Sequence, residues 1–182
     1  MNNRSSGAAF LCPHLEESLN PMKHTHNTLP EAIRQKSIEL LNLNLSAAID
    51  LHAQVKMAHW NVRGRSFFAV HELFDKVATA VLAMSDELAE RCGGLGGTAQ
   101  GTIQTAVKRS ALVPYPHQIA EIEEHIFAVA SGLAAFGQML REGIDAADKA
   151  GDKATADLFT QLTREIDENL YFVESHQEPK KN

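Results

Sequence analysis

From Ser66 to Cys92 the chain contains neither proline nor glycine, and its apolar residues recur at helical spacing. The stretch predicts one long helix. Four metal-ligating side chains sit on it: His71, Asp75, Asp86 and Glu90. At about 100° per residue they fall on one stripe roughly 100° wide. Each i, i+4 pair, His71 with Asp75 and Asp86 with Glu90, reaches a common point. Asp75 and Asp86 do not, because a helix rises about 1.5 Å per residue and sets them roughly 16 Å apart. Yet the spacing is symmetric about a point between Ala80 and Val81. A second copy laid antiparallel across a two-fold axis there brings His71 to Glu90 of the partner subunit and Asp75 to Asp86 of the partner subunit. Ala78, Thr79, Ala80 and Ala83 leave room for that approach. The spacing therefore suggests a metal site shared between two subunits. Carboxylates along a helix more often mark a solvated face, but Leu82 lies on this stripe and its flanks are apolar. Charges on a half-buried stripe need partners or a metal.

The helix has others around it. Pro30-Glu31 opens a first helix, with proline and an acid in its first turn. Ile33, Ile38, Leu41, Leu45, Ala48, Ile49, His52, Val55 and Ala58 give it a broad apolar face. It ends before Gly64, which permits a sharp reversal. His59, in its last turn, then lies beside the start of the second helix and is a fifth candidate ligand. Trp60 is expected to pack in the core rather than serve redox chemistry, and His52 to be packed or at an interface. Ser66 is the expected N-cap of the second helix, and the glycines at 93, 94, 96 and 97 end it. The linker that follows is too long for a plain connector. It predicts a short helix over 103–110 lying across the bundle. A third helix is expected from about His117 to Ala150, with Ile119, Ile122, Ile126, Val129, Leu133, Phe136, Leu140 and Ile144 inward. A fourth is expected over 153–175, with Leu158, Phe159, Leu162, Ile166, Leu170 and Val173 inward. Glu168-Asn169-Leu170-Tyr171-Phe172 looks like a protease tag site but keeps the helical period, so it reads as native.

Four helices with a long crossover between the second and third define an all-α, ferritin-like four-helix bundle with a short helix in the crossover. It should occupy residues 30–177, between a flexible tail over 1–29 and a short one over 178–182. Met22 is an alternative start, and the His24/His26 pair in the first tail is expected to have no specific role. No phosphate-binding glycine pattern occurs. No histidine has a glutamate three residues before it, so the Glu-x-x-His pairs of intrachain di-iron bundles are missing.

A formal net charge of −6 argues against a globally basic nucleic-acid binder. Cys12 and Cys92 offer neither a disulfide framework nor zinc spacing, which fits a reducing cytoplasm. No apolar run approaches membrane-spanning length, and the run at 7–12 is too short for a signal peptide, so neither membrane insertion nor export is expected.

Ala58-His59-Trp60-Asn61-Val62-Arg63-Gly64, Val70-His71-Glu72 with Asp75, and Asp86-Glu87-Leu88-Ala89-Glu90-Arg91 resemble the Dps family, the DNA-protecting mini-ferritins of bacteria. The resemblance runs over roughly residues 30–177, including the 97–102 run and Pro114-Tyr115-Pro116. It implies a hollow homododecamer with ferroxidase centres between two-fold-related subunits, His59, His71 and Asp75 facing Asp86 and Glu90 across the interface. It implies that each centre takes two iron ions, that Fe(II) is oxidised preferentially by hydrogen peroxide, and that ferric iron is stored in the cavity. Asp75 and Glu90 would be the main iron ligands, with Glu90 a candidate bridge, and the other three would complete the site directly or through water. Trp60 is a candidate acceptor of a stray electron. Family members admit iron through acidic three-fold pores. Asp145, Asp148 and Asp152 are the candidates here, against a plain solvated helix end. Family members that bind DNA often use lysine-rich tails. Here Arg4 and Lys23 stand against Glu16 and Glu17, with Lys180 and Lys181 at the other end, so DNA is a weakly supported partner. The competing reading is a DNA-compacting structural protein with a secondary metal site.

Overall fold

The computed structural model describes residues 21–177, and among them there are five helices and no strand. They are α1 (Glu31–Asn61), α2 (Phe67–Gly94), α3 (Ile103–Arg109), α4 (Ile122–Ala150) and α5 (Lys153–Glu174). Tail features at residues 1–20 and 178–182, Cys12 and the Lys180/Lys181 pair among them, lie outside the described residues.

The hairpins α1–α2 and α4–α5 pack on each other through α1 against α4 and α2 against α5, and α3 lies on α1. Phe74, Phe136 and Phe159 are fully buried at the centre, with Leu41, Leu51, Met84, Leu88, Leu133, Leu140, Leu162 and Ile166 around them. Burying such side chains supplies about 1.5–3 kcal/mol each and holds the four long helices together. α5 runs unbroken through Glu168–Phe172, as its period predicts.

Three junctions set the geometry. At the α1–α2 turn the Val62 amide donates to the Ala58 carbonyl and Arg63 Nη1 donates to the carbonyls of Trp60 and Val62. Gly64 then takes φ +137°, a region that favours glycine. Ser66 precedes α2 but its side chain makes no cap hydrogen bond. At the α4–α5 turn Gly151 is left-handed (φ +94°), and Asp152 caps α5 by accepting from the Thr155 amide at 3.1 Å.

The third junction is the start of α4, which falls at Ile122 rather than near His117. The Glu124 carboxylate accepts from the backbone amides of Ala120 and Glu121, both at 3.0 Å, so the helix is nucleated there rather than after Pro116. Those hydrogen bonds, the Glu121 amide first, hold the Glu124 carboxyl below its ordinary value. Residues 21–29, expected within a flexible tail, instead lie against the bundle. The Lys23 amide donates to the Gly96 carbonyl at 2.8 Å, and Arg34 ties Leu29 to Leu95 through their carbonyls.

Candidate metal centre

His59 ends α1 and His71 lies just inside α2, so the turn folds them onto each other. Their rings stack at 3.7 Å between centroids, 21° from parallel. Each imidazole also bonds the other's backbone: His59 Nδ1 to the His71 carbonyl at 2.8 Å, and His71 Nδ1 to the His59 carbonyl at 2.9 Å. A carbonyl oxygen only accepts, so both Nδ1 atoms carry the proton. In the neutral rings both Nε2 lone pairs are therefore free. Such an outer hydrogen bond is what commonly fixes the tautomer of a metal-binding histidine.

Asp75 stands one turn along α2 from His71. Its Oδ1 lies 4.0 Å from His59 Nε2, near the turn end of the hairpin. The carboxylate is half exposed and has a single close partner, Lys56 Nζ at 2.6 Å. The Lys56 hydrogen bond, with the Lys56 charge, outweighs desolvation and keeps the Asp75 carboxyl below its ordinary value. It is thus anionic at neutral pH. Lys56 is the component that sequence reasoning missed. Its position three residues before His59, on the same face of α1, was the available signal.

Asp86 and Glu90 are exposed farther along α2. Among the described residues, no three metal-ligating side chains of one chain converge on a point. A single chain therefore carries two separated half-sets, as the helical rise requires. Beside them Trp60 is 62% exposed, Phe68 72% and Leu82 54%. This corrects the expectation that Trp60 packs in the core: on a helix that has α2 and α4 on its other sides, the Trp60 direction is outward.

The acidic trio at the α4–α5 turn divides. Asp145 and Asp148 are exposed, and Asp148 pairs with Lys153. Asp152 is only 1% exposed and cannot line an aqueous pore. Its carboxylate accepts from Ser37 Oγ (2.8 Å), Thr155 Oγ1 (2.6 Å) and Arg91 Nη2 (2.9 Å). Burial opposes ionisation of Asp152, but the hydrogen bonds from Thr155 and Ser37 and the Arg91 charge together hold its carboxyl below the ordinary value. It is a structural anion. His24 and His26 are exposed, their rings edge-on at 5.1 Å.

Comparison with known proteins gives the family. The ferritin-like domain family matches residues 38–179. The chain is 40% identical over 156 residues to the DNA protection during starvation protein of Agrobacterium fabrum, a match covering 86% of this chain and 96% of that protein. The chain belongs to the Dps family. Solved Dps structures agree with the fold. DpsA14 from Streptomyces coelicolor superposes with a TM-score of 0.81 at 33% identity, covering 87% of this chain and 94% of that one. Dps from Microbacterium arborescens, solved in a high iron form, gives a TM-score of 0.76 at 28% identity, covering 82% of this chain and 97% of that one. Within this fold, His59, His71 and Asp75 lie at the turn end of the α1–α2 hairpin. No helix among the described residues is long and apolar enough to cross a membrane.

Proposed function

We propose that this Dps chain is an iron-sequestering ferroxidase of the cytoplasm. Two antiparallel copies of α2 build each centre, with His59, His71 and Asp75 of one subunit facing Asp86 and Glu90 of the partner subunit. Two Fe(II) bind per centre as substrate. Each gives one electron to a single hydrogen peroxide, whose O–O bond breaks. The two oxygens take up two protons and leave as two waters. The Fe(III) formed passes to the interior of a hollow dodecamer for storage, with Asp145 and Asp148 as candidate pore residues. Removing Fe(II) and peroxide together denies DNA the hydroxyl radical that they generate, in keeping with the name carried by the Agrobacterium relative.

The observation that carries this reading is the reciprocal lock of His59 and His71, which leaves two Nε2 lone pairs free, that of His59 4.0 Å from the Asp75 carboxylate. Imidazole suits iron, and hard carboxylate oxygens favour the ferric state that the reaction produces. The exposed Trp60, Phe68 and Leu82 support a covered interface. DNA compaction as the primary role draws less support, given a net charge of −6.

The test is anaerobic Fe(II) loading followed by a peroxide pulse, on the native protein and on Asp75→Ala/Glu90→Ala. The native protein should oxidise about two irons per peroxide, and the double variant should lose the fast phase. Equal rates would remove these residues from the reaction and bring the DNA-compacting reading forward.

A further inference from the structure

We infer that Lys56 is a resident cation of the ferroxidase half-site: its ammonium holds the Asp75 carboxylate in place of a metal and must move aside, towards Trp60, before a divalent ion binds. The inference rests on the ferroxidase reading above and adds to it a positioning residue that sets which metals enter.

The geometry carries it. Lys56 Nζ stands 2.6 Å from Asp75 Oδ1, the same oxygen that faces His59 Nε2 at 4.0 Å. A metal bound between that carboxylate and that imidazole approaches each to about 2.0–2.2 Å. It would meet the ammonium at close range, and two cations at one exposed oxygen repel. One has to leave. A way out is present: Nζ already lies 5.9 Å from the Trp60 ring centroid, within the roughly 6 Å over which a ring face attracts a cation. Trp60 is four residues beyond Lys56 on the same face of α1, so rotation about the lysine stem moves the charge from carboxylate to indole without moving the helix.

The choice of residue fits a replaceable occupant. Two other ion pairs that join helices, Arg91–Asp152 and Arg141–Asp167, use arginine, each guanidinium Nη2 reaching both carboxylate oxygens. At Asp75 the cation is a lysine, a compact point charge on a flexible stem. Lys56 therefore acts as a threshold. A transition-metal ion gains from the two imidazoles and displaces it. Hard ions such as Mg(II) and Ca(II), which favour oxygen ligands, gain little and do not.

Zn(II), which undergoes no redox change, tests this on the assembled full-length protein, with calorimetry and the emission of Trp60, the single tryptophan, as readouts. Zn(II) should change Trp60 emission in the native protein. Lys56→Gln should bind Zn(II) about two- to five-fold more tightly, show no Lys56-dependent emission change, and let millimolar Mg(II) compete. Lys56→Arg should restore the native weakness. A merely structural pair predicts the opposite direction, so Zn(II) binding that is unchanged or weaker in Lys56→Gln overturns the inference. Asp75→Asn separates the two levels. If it weakens Zn(II) binding while Lys56→Gln does not tighten it, the site stands and the role of Lys56 falls. If Asp75→Asn binds Zn(II) like the native protein, the site reading fails and the inference goes with it.

Discussion

Asp75 and Asp152 are both aspartates paired to a cation, both with carboxyls held below the ordinary value, and they are built for different ends. Asp152 is 1% exposed and has its lone pairs spent on Ser37, Thr155 and Arg91. Asp75 is half exposed, with one close partner and open directions towards His59 and solvent. The shared direction of the pKa shift says nothing about role. Unspent coordination does. A carboxylate that is to take a metal has to reach the surface ionised and under-satisfied, whereas one that ties helices together has to be saturated, because burial leaves no water to make up a missing bond.

The contrast breaks most visibly on deleting the two groups in turn. Asp152→Ala removes the cap of α5 and strands Arg91, Ser37 and the Thr155 hydroxyl. We expect a loss of about 3 kcal/mol in urea unfolding, with a correspondingly lower Tm. A loss under 1 kcal/mol would mean that water replaces the carboxylate and the saturation argument is wrong.

A smaller effect is expected in acid. A depressed folded pKa contributes stability that is present above the unfolded value, near 3.8 for aspartate, and lost as pH falls through the folded value. Unfolding free energy of the native protein should therefore decline below about pH 4, and Asp152→Asn should flatten that decline. Identical pH slopes for the two proteins would show that Asp152 is not the linked group.

The smallest effect is expected at Asp75. Asp75→Asn should leave the thermal midpoint where it is, even as it removes fast iron oxidation, because the contact its carboxylate makes with another helix is the half-exposed pair to Lys56, worth little to stability. A midpoint that drops with Asp75→Asn would give the residue a structural share and blur the distinction.

These two residues also show how far the sequence alone reached. The α2 stripe was legible because helical period and rise are properties of the local chain: His71, Asp75, Asp86 and Glu90 had to share a face, and the two ends had to be too far apart for one ion. Placing His59 beside His71 required only the reversal that Gly64 allows. Asp152 was misread as a pore candidate, since an acid beside a helix start looks the same whether it points to water or to Arg91, sixty-one residues away. Trp60 was misplaced because apolarity says nothing about which side of a helix lies uncovered. The start of α4 was set too early, the prolines at 114 and 116 being more conspicuous than the Glu124 cap that nucleates the helix. Lys56 went unremarked because a search for ligands passes over a cation sitting among them.

The crossed bonds between His59 and His71 have a consequence for folding as well as for chemistry. Each ring donates to the backbone of the opposite helix, so the pair works as a register gauge. If α1 slipped by one residue along α2, both carbonyls would leave reach together, and the apolar side chains beneath would lose their seats in the same step. A hairpin that closes in the wrong register cannot make half of this clasp, and the one that makes it whole has already placed its metal-binding nitrogens.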